Sequence, residues 1–216
     1  MKKHTILMMA LILTLASGVN AMTINGGAAW FNPTGVEGSG AVLFSLGAGQ
    51  RVDAMVMANI QLDFMNKTFT KELSTTVDLD TTSIVNLSTR EVAYNHSVKY
   101  FPISAGVVIT LPVDITYSIK PFIEGRVGYG FANVSYDYNE TTYDIPDTSR
   151  PESGTYTGFG WRLAGGIRMS LGSRSGLTLG AFYNGNTVSR SQDSNTFVDL
   201  EMSGLGLGAS LELSGF

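Results

Sequence analysis

The sequence predicts an all-β fold: an eight-stranded antiparallel up-and-down transmembrane β-barrel preceded by a cleaved signal peptide. Three observations lead to this prediction. The chain begins with an export signal, its segments alternate apolar and polar residues over membrane-spanning lengths, and its connections alternate between short and long. Its 216 residues correspond to one domain by size. Because cysteine is absent, a disulfide framework and a thiolate metal site are both excluded.

The first 21 residues have the three regions of a secretory signal. The basic segment MKKH precedes the apolar run TILMMALILTLASG, and Ala21 provides the small residue that signal peptidase prefers. The apolar run is shorter than the about 20 residues of a spanning helix, so an uncleaved anchor is the weaker alternative. We therefore expect a signal peptide at 1–21 and a barrel domain at 22–216. The full chain has net charge −4, and loss of Lys2 and Lys3 makes it −6, which disfavours a nucleic-acid partner.

Alternation is clearest between Val52 and Met65. Every even position there is apolar, and every odd position is polar or a flexible methionine, which is the period of a strand. This run exceeds the about 5–6 residues of a typical globular strand and reaches the about 9–11 residues of a tilted membrane strand. Similar patterns predict eight strands, at residues 23–32, 39–48, 52–66, 93–111, 119–138, 155–171, 177–189 and 197–214.

The connections predict which end of the barrel is outside. Segment 112–118 is short, whereas segments 67–92 and 139–154 are long and rich in Thr, Ser, Asp and Glu, as expected of periplasmic turns and extracellular loops. A soluble sandwich or lipocalin is disfavoured, because the non-apolar faces are rich in Gly, Ser, Asn and Met rather than in charges. The apolar parity shifts near 101–102, 132–133 and 203–204, which we interpret as β-bulges.

Aromatic residues near the loop ends of the outward face predict an outer girdle at the membrane interface. Its expected members are Phe64, Tyr129, Phe131, Phe159, Trp161 and Tyr183.

The opposite faces predict a lumen that carries charges of both signs. Unpaired charges in a narrow interior are costly, so we expect a paired network that plugs the barrel. Its expected members are Asp53, Asp63, Glu124, Arg126, Arg162, Arg168 and Glu212. Asp63 is the expected mid-height acid for the two neighbouring bases Arg126 and Arg162. The expected periplasmic layer consists of Asp53, Glu124, Arg168 and Glu212. A narrow ion path is the alternative.

Part of the lumen is apolar, which favours a hydrophobic ligand. The residues concerned are Met55, Met57, Met65, Phe122 and Phe182. An enzymatic barrel is disfavoured, because His96 and Ser97 are adjacent in a strand and point to opposite faces. Asp78 and Asp80 are too few for a calcium loop, so neither a metal nor a cofactor is expected.

The signal peptide, the strand and loop count, the strand KPFIEGRVGYGF and the terminal Phe216 together resemble the small eight-stranded bacterial outer-membrane β-barrel superfamily, the OmpA-transmembrane and OmpW-like proteins. The resemblance implies an integral protein of the bacterial cell outer membrane, in contact with its lipid and lipopolysaccharide. It also implies that the barrel assembly machinery reads Phe216. The residues two, four and six positions before it are polar, so either Ser214–Gly215 is irregular or the assembly signal is nonstandard.

Two kinds of function follow from this reading. The first is a structural or surface-interaction protein with a plugged, salt-bridged lumen, whose loops 67–92 and 139–154 contact a surface ligand. The second, which the OmpW-like resemblance suggests, is a transport barrel for small hydrophobic molecules, and a narrow pore is a further alternative.

Overall fold

A computed structural model of the chain describes residues 22–36, 38–78, 86–113, 115, 118–138, 153–193 and 196–215. The predicted signal peptide and Phe216 lie outside these residues. The described residues form nine strands: β1 (Met22–Pro33), β2 (Ala41–Arg51), β3 (Val56–Asp78), β4 (Asn86–Thr110), β5 (Ile119–Tyr138), β6 (Gly154–Ser170), β7 (Ser175–Asp193), β8 (Thr196–Glu201) and β9 (Gly204–Ser214). The described part of the chain has no helix that is long and apolar enough to cross a membrane.

The strands form one closed antiparallel sheet. Each strand from β1 to β6 pairs with the next along the chain, and β9 pairs with both β7 and β1. Strand β8 extends β9 in the same register against β7, since Thr187 is opposite Glu201 and Asn184 is opposite Gly204. Together β8 and β9 make the eighth barrel strand, so the predicted fold class is confirmed.

The eighth barrel strand is interrupted at Met202 and Ser203, next to the bulge predicted at 203–204. The unchanged register shows that no residue is inserted, so this is a local break rather than a bulge. Asn186 spans the break: its backbone N–H donates to Ser203 Oγ at 3.1 Å, and its carbonyl accepts from the N–H of Met202 at 2.8 Å. The N–H of Met202 therefore keeps a partner at the break, as does the carbonyl of Ser203, which accepts from the N–H of Thr34 at 2.8 Å.

The third strand begins four residues later than predicted. Residues 52–55 form the turn between β2 and β3, in which Asp53 Oδ1 accepts hydrogen bonds from the backbone N–H groups of Met55 and Val56, each at 2.7 Å. A side chain that bonds the backbone two or three residues on stabilises a turn in competition with a strand. Apolar and other residues happen to alternate through this turn as they do in β3. The alternation therefore predicted that residues 52–55 belong to the strand.

The predicted loop 67–92 is largely a β-hairpin. Strands β3 and β4 stay paired up to Asp78 and Asn86, with a register shift between Lys71 and Glu72. The many threonines of this segment suit a strand, because β-branched residues have high strand propensity. Residues 79–85 lie outside the described residues, as do residues 139–152 of the other predicted loop.

The ladder between β4 and β5 contains no bulge, so the bulges predicted at 101–102 and 132–133 are wrong. Their pairing is continuous from Tyr94 opposite Tyr138 to Thr110 opposite Phe122. The same face of β5 points inward throughout. What changes is the polarity of the two faces: above Phe131 the outward residues are Asn133 and Ser135, while Ala132 and Val134 are buried inside.

This inversion of polarity follows from the surroundings of the strand. The outward apolar run of β5, from Ile123 to Phe131, has the length of a tilted membrane strand, about 9–11 residues. Beyond it the barrel meets water, so apolar side chains are stabilised inside and polar ones outside. We call the apolar cluster within this part of the barrel the outer core. It comprises Phe31, Val36, Ala41, Leu43, Met65, Val98, Tyr100, Ala132, Val134, Tyr156, Val188 and Met202.

The outer core lies at the end of the barrel that carries the long β3–β4 hairpin. The described residues closest to both chain termini, Met22 and Gly215, lie together at the opposite end, where the N–H of Gly215 donates to the carbonyl of Met22. Gly215 has φ +99°, so the chain is irregular at Ser214–Gly215, the first of the two alternatives raised by the sequence. We refer to the end with the long hairpin as outer and to the opposite end as periplasmic.

Candidate functional site

The outward face carries an aromatic band at the outer edge of its apolar zone. All six predicted girdle residues lie on this outward face. The ring of Tyr129 lies 5.1 Å from that of Phe131 and 5.3 Å from that of Phe159, and Trp161 lies 5.7 Å from Tyr183.

Three further aromatic residues on this face, Trp30, Phe44 and Phe101, were missed as girdle members. Phe101 contacts Phe64 at 4.8 Å between ring centroids. The apolar parity of β1 and β2 could have identified Trp30 and Phe44 as girdle members. Phe101 was missed because the bulge predicted at 101–102 left its face unassigned.

At mid-height the lumen is crossed by the ion pair of Arg162 and Asp63. Arg162 Nη2 lies 2.7 Å from Asp63 Oδ2, and Nε donates to Asn184 Oδ1 at 2.6 Å. Gln61 Nε2 donates to the second carboxylate oxygen of Asp63 at 2.5 Å. The guanidinium also lies over the ring of Phe182, 4.5 Å from its centroid. These contacts join β3, β6 and β7 across the interior and neutralise two buried charges.

A second pair lies on β5 itself, where Glu124 and Arg126 point to the same side of the strand and contact each other. Arg126 stands opposite Arg162 in the β5–β6 ladder but is held by a different acid. With the amide of Asn59 oriented so that its oxygen faces β5, Arg126 Nη2 donates to it at 2.8 Å. Arg126 and Arg162 are neighbours in the sheet, but each is paired with an acid of its own.

The third pair, Arg168 with Glu212, lies nearest the periplasmic end. Thr178 Oγ1 donates to the carboxylate of Glu212 at 3.0 Å. Asp53 does not join this layer, because its exposed carboxylate is engaged in the β2–β3 turn. Six of the seven charged residues expected in the lumen are thus brought together, as three pairs.

Neutral polar residues complete the network and were missed by the sequence reasoning. Asn59, Gln61, Asn184 and Thr178 bond the charged groups, and Asn186 Nδ2 donates to Tyr100 Oη at 2.6 Å. They lie on the same alternating faces as the charges, so parity could have identified them. Their number is consistent with the rule that buried charges require several hydrogen bonds each.

The five predicted apolar lumen residues separate into different places. Met57 and Phe122 form a small cluster with Val108 in the lower lumen. Phe182 stacks on Phe31, 5.8 Å between centroids, and Met65 belongs to the outer core. Met55 lies in the β2–β3 turn and is exposed. Met57, Phe122 and Phe182 therefore line one cavity in the lower lumen, whereas Met65 and Met55 lie outside it.

Two cavities occupy the lower half of the barrel. One of about 100 Å³ lies inside the lumen between the Glu124–Arg126 pair and the Arg168–Glu212 pair. The other, of about 440 Å³, opens at the periplasmic mouth. Arg168 and Met57 line both cavities, so the interior is approached from the periplasmic side past the lowest ion pair.

The histidine considered as a catalytic group is buried at the outer end. His96 stacks on Tyr136 with ring centroids 4.0 Å apart. Ser97 is on the opposite face of β4, as the alternation of a strand requires. Among the described residues, no cluster of three or more His, Asp or Glu side chains could hold a metal ion.

Lys67 is a buried cation at the level of the outer core, above the lipid-facing zone. The residue is 8% exposed, and within the described residues its Nζ has no hydrogen-bond partner. Burial lowers the pKa of this amine below its ordinary value of 10.5. A group whose folded pKa is lowered in this way binds fewer protons in the folded state than in the unfolded state.

The sign of the resulting pH dependence is fixed by this difference. At pH below the folded pKa of Lys67 the folded barrel carries the full cost of the buried charge, and stability rises with pH as the proton leaves. Lys67→Met is therefore expected to stabilise the barrel by about 1–3 kcal/mol at neutral pH. The gain should shrink towards about pH 10. Urea unfolding in zwitterionic micelles measures both effects, and a lower stability of the variant at neutral pH would contradict them.

The geometry described so far defines a class of protein. A closed antiparallel barrel with a lipid-facing apolar band and an ion-paired interior is a membrane-spanning β-barrel of the bacterial outer membrane. Residues 5–212 match the family model of the outer membrane protein beta-barrel domain, and the chain belongs to this family. The predicted family resemblance and the predicted location in the bacterial outer membrane are thereby confirmed.

Solved structures with the same fold include Neisserial surface protein A, with 13% identity, a TM-score of 0.52, and coverage of 89% of this chain and 95% of that one. The Yersinia pestis attachment invasion locus protein Ail has 13% identity, a TM-score of 0.46, and coverage of 89% and 97%. OprG from Pseudomonas aeruginosa has 12% identity, a TM-score of 0.49, and coverage of 90% and 95%. A comparison with curated proteins gave no significant match.

Proposed function

We propose that this protein is a non-conducting, non-enzymatic outer-membrane barrel with a structural or surface-interaction role. The observation that carries the proposal is that the interior is obstructed at two levels. Three ion pairs occupy the membrane-spanning half, and the outer core fills the interior above them. An eight-stranded barrel is only just wide enough for its own side chains, so these groups leave little room for a solute.

The surface available for interaction is the part of the sheet that continues beyond the lipid-facing zone. Strands β3 and β4 extend furthest, and β5 ends and β6 begins at this end. We propose that segments 67–92 and 139–154 contact a surface ligand or lipopolysaccharide, and that Phe216 is read by the barrel assembly machinery. In this role the ion-paired interior acts as a rigid support for the exposed hairpin.

Transport of small hydrophobic molecules is the second candidate. The cluster of Met57, Val108 and Phe122 on the interior cavity favours it. The cavity volume disfavours it, because about 100 Å³ is small beside the roughly 300–1,000 Å³ of typical ligand pockets. The outer core also separates this cavity from the outer end.

Planar-bilayer recording tests the proposed obstruction. We expect the refolded wild-type barrel to give no stable single-channel conductance, because the buried pairs hold charged side chains across the lumen. Insertion is verified in parallel by the mobility shift between unboiled and boiled samples on a gel. Reproducible conductance steps from inserted barrel would refute the plugged lumen and favour a pore.

A further inference from the structure

Strands β2 and β3 separate before they reach the outer end of the barrel. Their ladder stops at Leu43 opposite Met65, although the chain continues on both sides. The segments Gly38–Val42 and Asn66–Phe69, together with Phe44 and Phe64, line an open cleft of about 360 Å³ in the side of the barrel. We call this the lateral cleft.

The lateral cleft crosses the boundary between lipid and water. Its lower part is formed by Val42, Phe44 and Phe64, which are 42%, 57% and 37% exposed on the lipid-facing surface. Its upper part is formed by Ser39, Asn66 and Thr68, which are exposed and polar. A molecule seated here would have an apolar portion below and a polar portion above.

Two lysines define the charge of the upper part. Lys67 lines the cleft from within the barrel, and its Nζ is buried without a hydrogen-bond partner in the described part of the chain. Its Cε lies close to Gly38, 3.8 Å from where a Cβ of that residue would stand, so the amine lies just beneath the β1–β2 connection. A lysine stem is flexible enough to carry its ammonium outward to an anion.

Lys99 adds a second cation on the outer surface. It is exposed, and its Cα partners in the two adjacent strands are Asn66 and Asn133, both neutral. The described residues that line the cleft include no acid. Among the described residues, the charged groups at the upper part are therefore the two lysines, at the depth where lipid head groups lie.

We propose that the lateral cleft binds a membrane lipid with an anionic phosphate head group, from the outer leaflet. The phosphate contacts Lys67 and Lys99, and an acyl chain follows Phe44 and Phe64. Phosphate oxygens supply the acceptors that the buried ammonium lacks, and the apolar lower part matches a chain that is already in the membrane. This inference is independent of whether the lumen conducts.

Trp30 provides a local probe of the lateral cleft. Its indole lies against Gly40, since a Cβ there would stand 2.6 Å from Trp30 Nε1. The chain has two tryptophans, so Trp161→Phe leaves Trp30 as the only one. This variant is refolded into phosphatidylcholine vesicles that contain brominated phosphatidylglycerol or, separately, brominated phosphatidylcholine at the same mole fraction. Quenching of Trp30 then reports which lipid occupies the cleft.

We expect brominated phosphatidylglycerol to quench Trp30 more strongly than brominated phosphatidylcholine. Either Lys67→Met or Lys99→Gln, introduced into the Trp161→Phe protein, should reduce this preference about fivefold. Lys120→Gln removes a cation at the periplasmic mouth and is the matched control, which should retain the preference. The Trp30→Phe protein reports on Trp161, which lies outside the cleft, and should show no such preference.

Equal quenching by the two lipids at Trp30 would overturn the proposal, as would a preference that survives both lysine replacements. If an excess of inorganic phosphate abolishes the preference in the Trp161→Phe protein, the site takes phosphate alone and the assignment to a lipid is wrong. Gel mobility confirms that each variant is folded. Because Lys67→Met is expected to be more stable than wild type, loss of folding would not explain its loss of preference.

Discussion

Replacing Arg162 with methionine is expected to destabilise the folded barrel by about 3–5 kcal/mol. The substitution leaves Asp63 buried with Gln61 as its remaining side-chain partner and removes the hydrogen bond to Asn184. A buried charge that loses its counter-ion keeps the cost of desolvation without the attraction that offset it. Urea unfolding in lipid vesicles, followed by tryptophan fluorescence, measures the loss.

The double variant Asp63→Asn with Arg162→Met is the control for this experiment. It removes both charges and keeps similar side-chain volumes, so most of the lost stability should return. If Arg162→Met instead costs less than about 1 kcal/mol, the pair behaves like an exposed one and the lumen is hydrated. That result would contradict the plugged interior.

Replacing Gly128 with alanine is expected to prevent most of the protein from folding, at a cost of about 3 kcal/mol or more. A Cβ at this position would lie 2.3 Å from the carbonyl oxygen of Ile103 and 2.8 Å from Cα of Ser104. Both are backbone atoms of β4, so they can give way only if the β4–β5 ladder widens. The fraction of unboiled protein with folded mobility on a gel measures the effect.

Gly125 is the matched control, three residues earlier on the same strand. It faces lipid, and a Cβ there would meet Leu163 Cδ2 at an ordinary contact distance of 3.8 Å. Gly125→Ala should therefore change stability by no more than about 0.5 kcal/mol. Equal behaviour of the two variants would show that close strand approach inside the barrel does not limit folding.

The sequence was sufficient to predict the membrane-spanning half of the barrel, because one rule holds there. From Ile123 to Phe131 every outward residue meets lipid, so parity alone assigns the faces. The same rule failed above Phe131, where water replaces lipid and apolar residues such as Val134 belong inside. The bulges were predicted because the apolar face was assumed to point outward to lipid along the whole strand.

The interior was predictable in its composition but not in its pairing. Parity identified Asp63, Arg162 and Glu212 as inward-facing, whereas the partner of each depends on the strand register. Register is set by hairpin geometry and by the whole closed sheet, which a single strand does not encode. The turn at Asp53, by contrast, depends on a local contact of its side chain with the backbone. It was missed because the apolar alternation continues through it.

The inversion of polarity along β4 and β5 has a consequence for the membrane in which the barrel is stable. A thicker bilayer would bring Lys99, Asn133 and Ser135 into hydrocarbon, and a thinner one would expose Phe101 and Phe131 to water. Either change costs free energy through hydrophobic mismatch, by fractions of a kcal/mol per Å. The level at which the outward face changes from apolar to polar therefore fixes how deeply the barrel inserts. The barrel is most stable in a bilayer whose thickness matches this level.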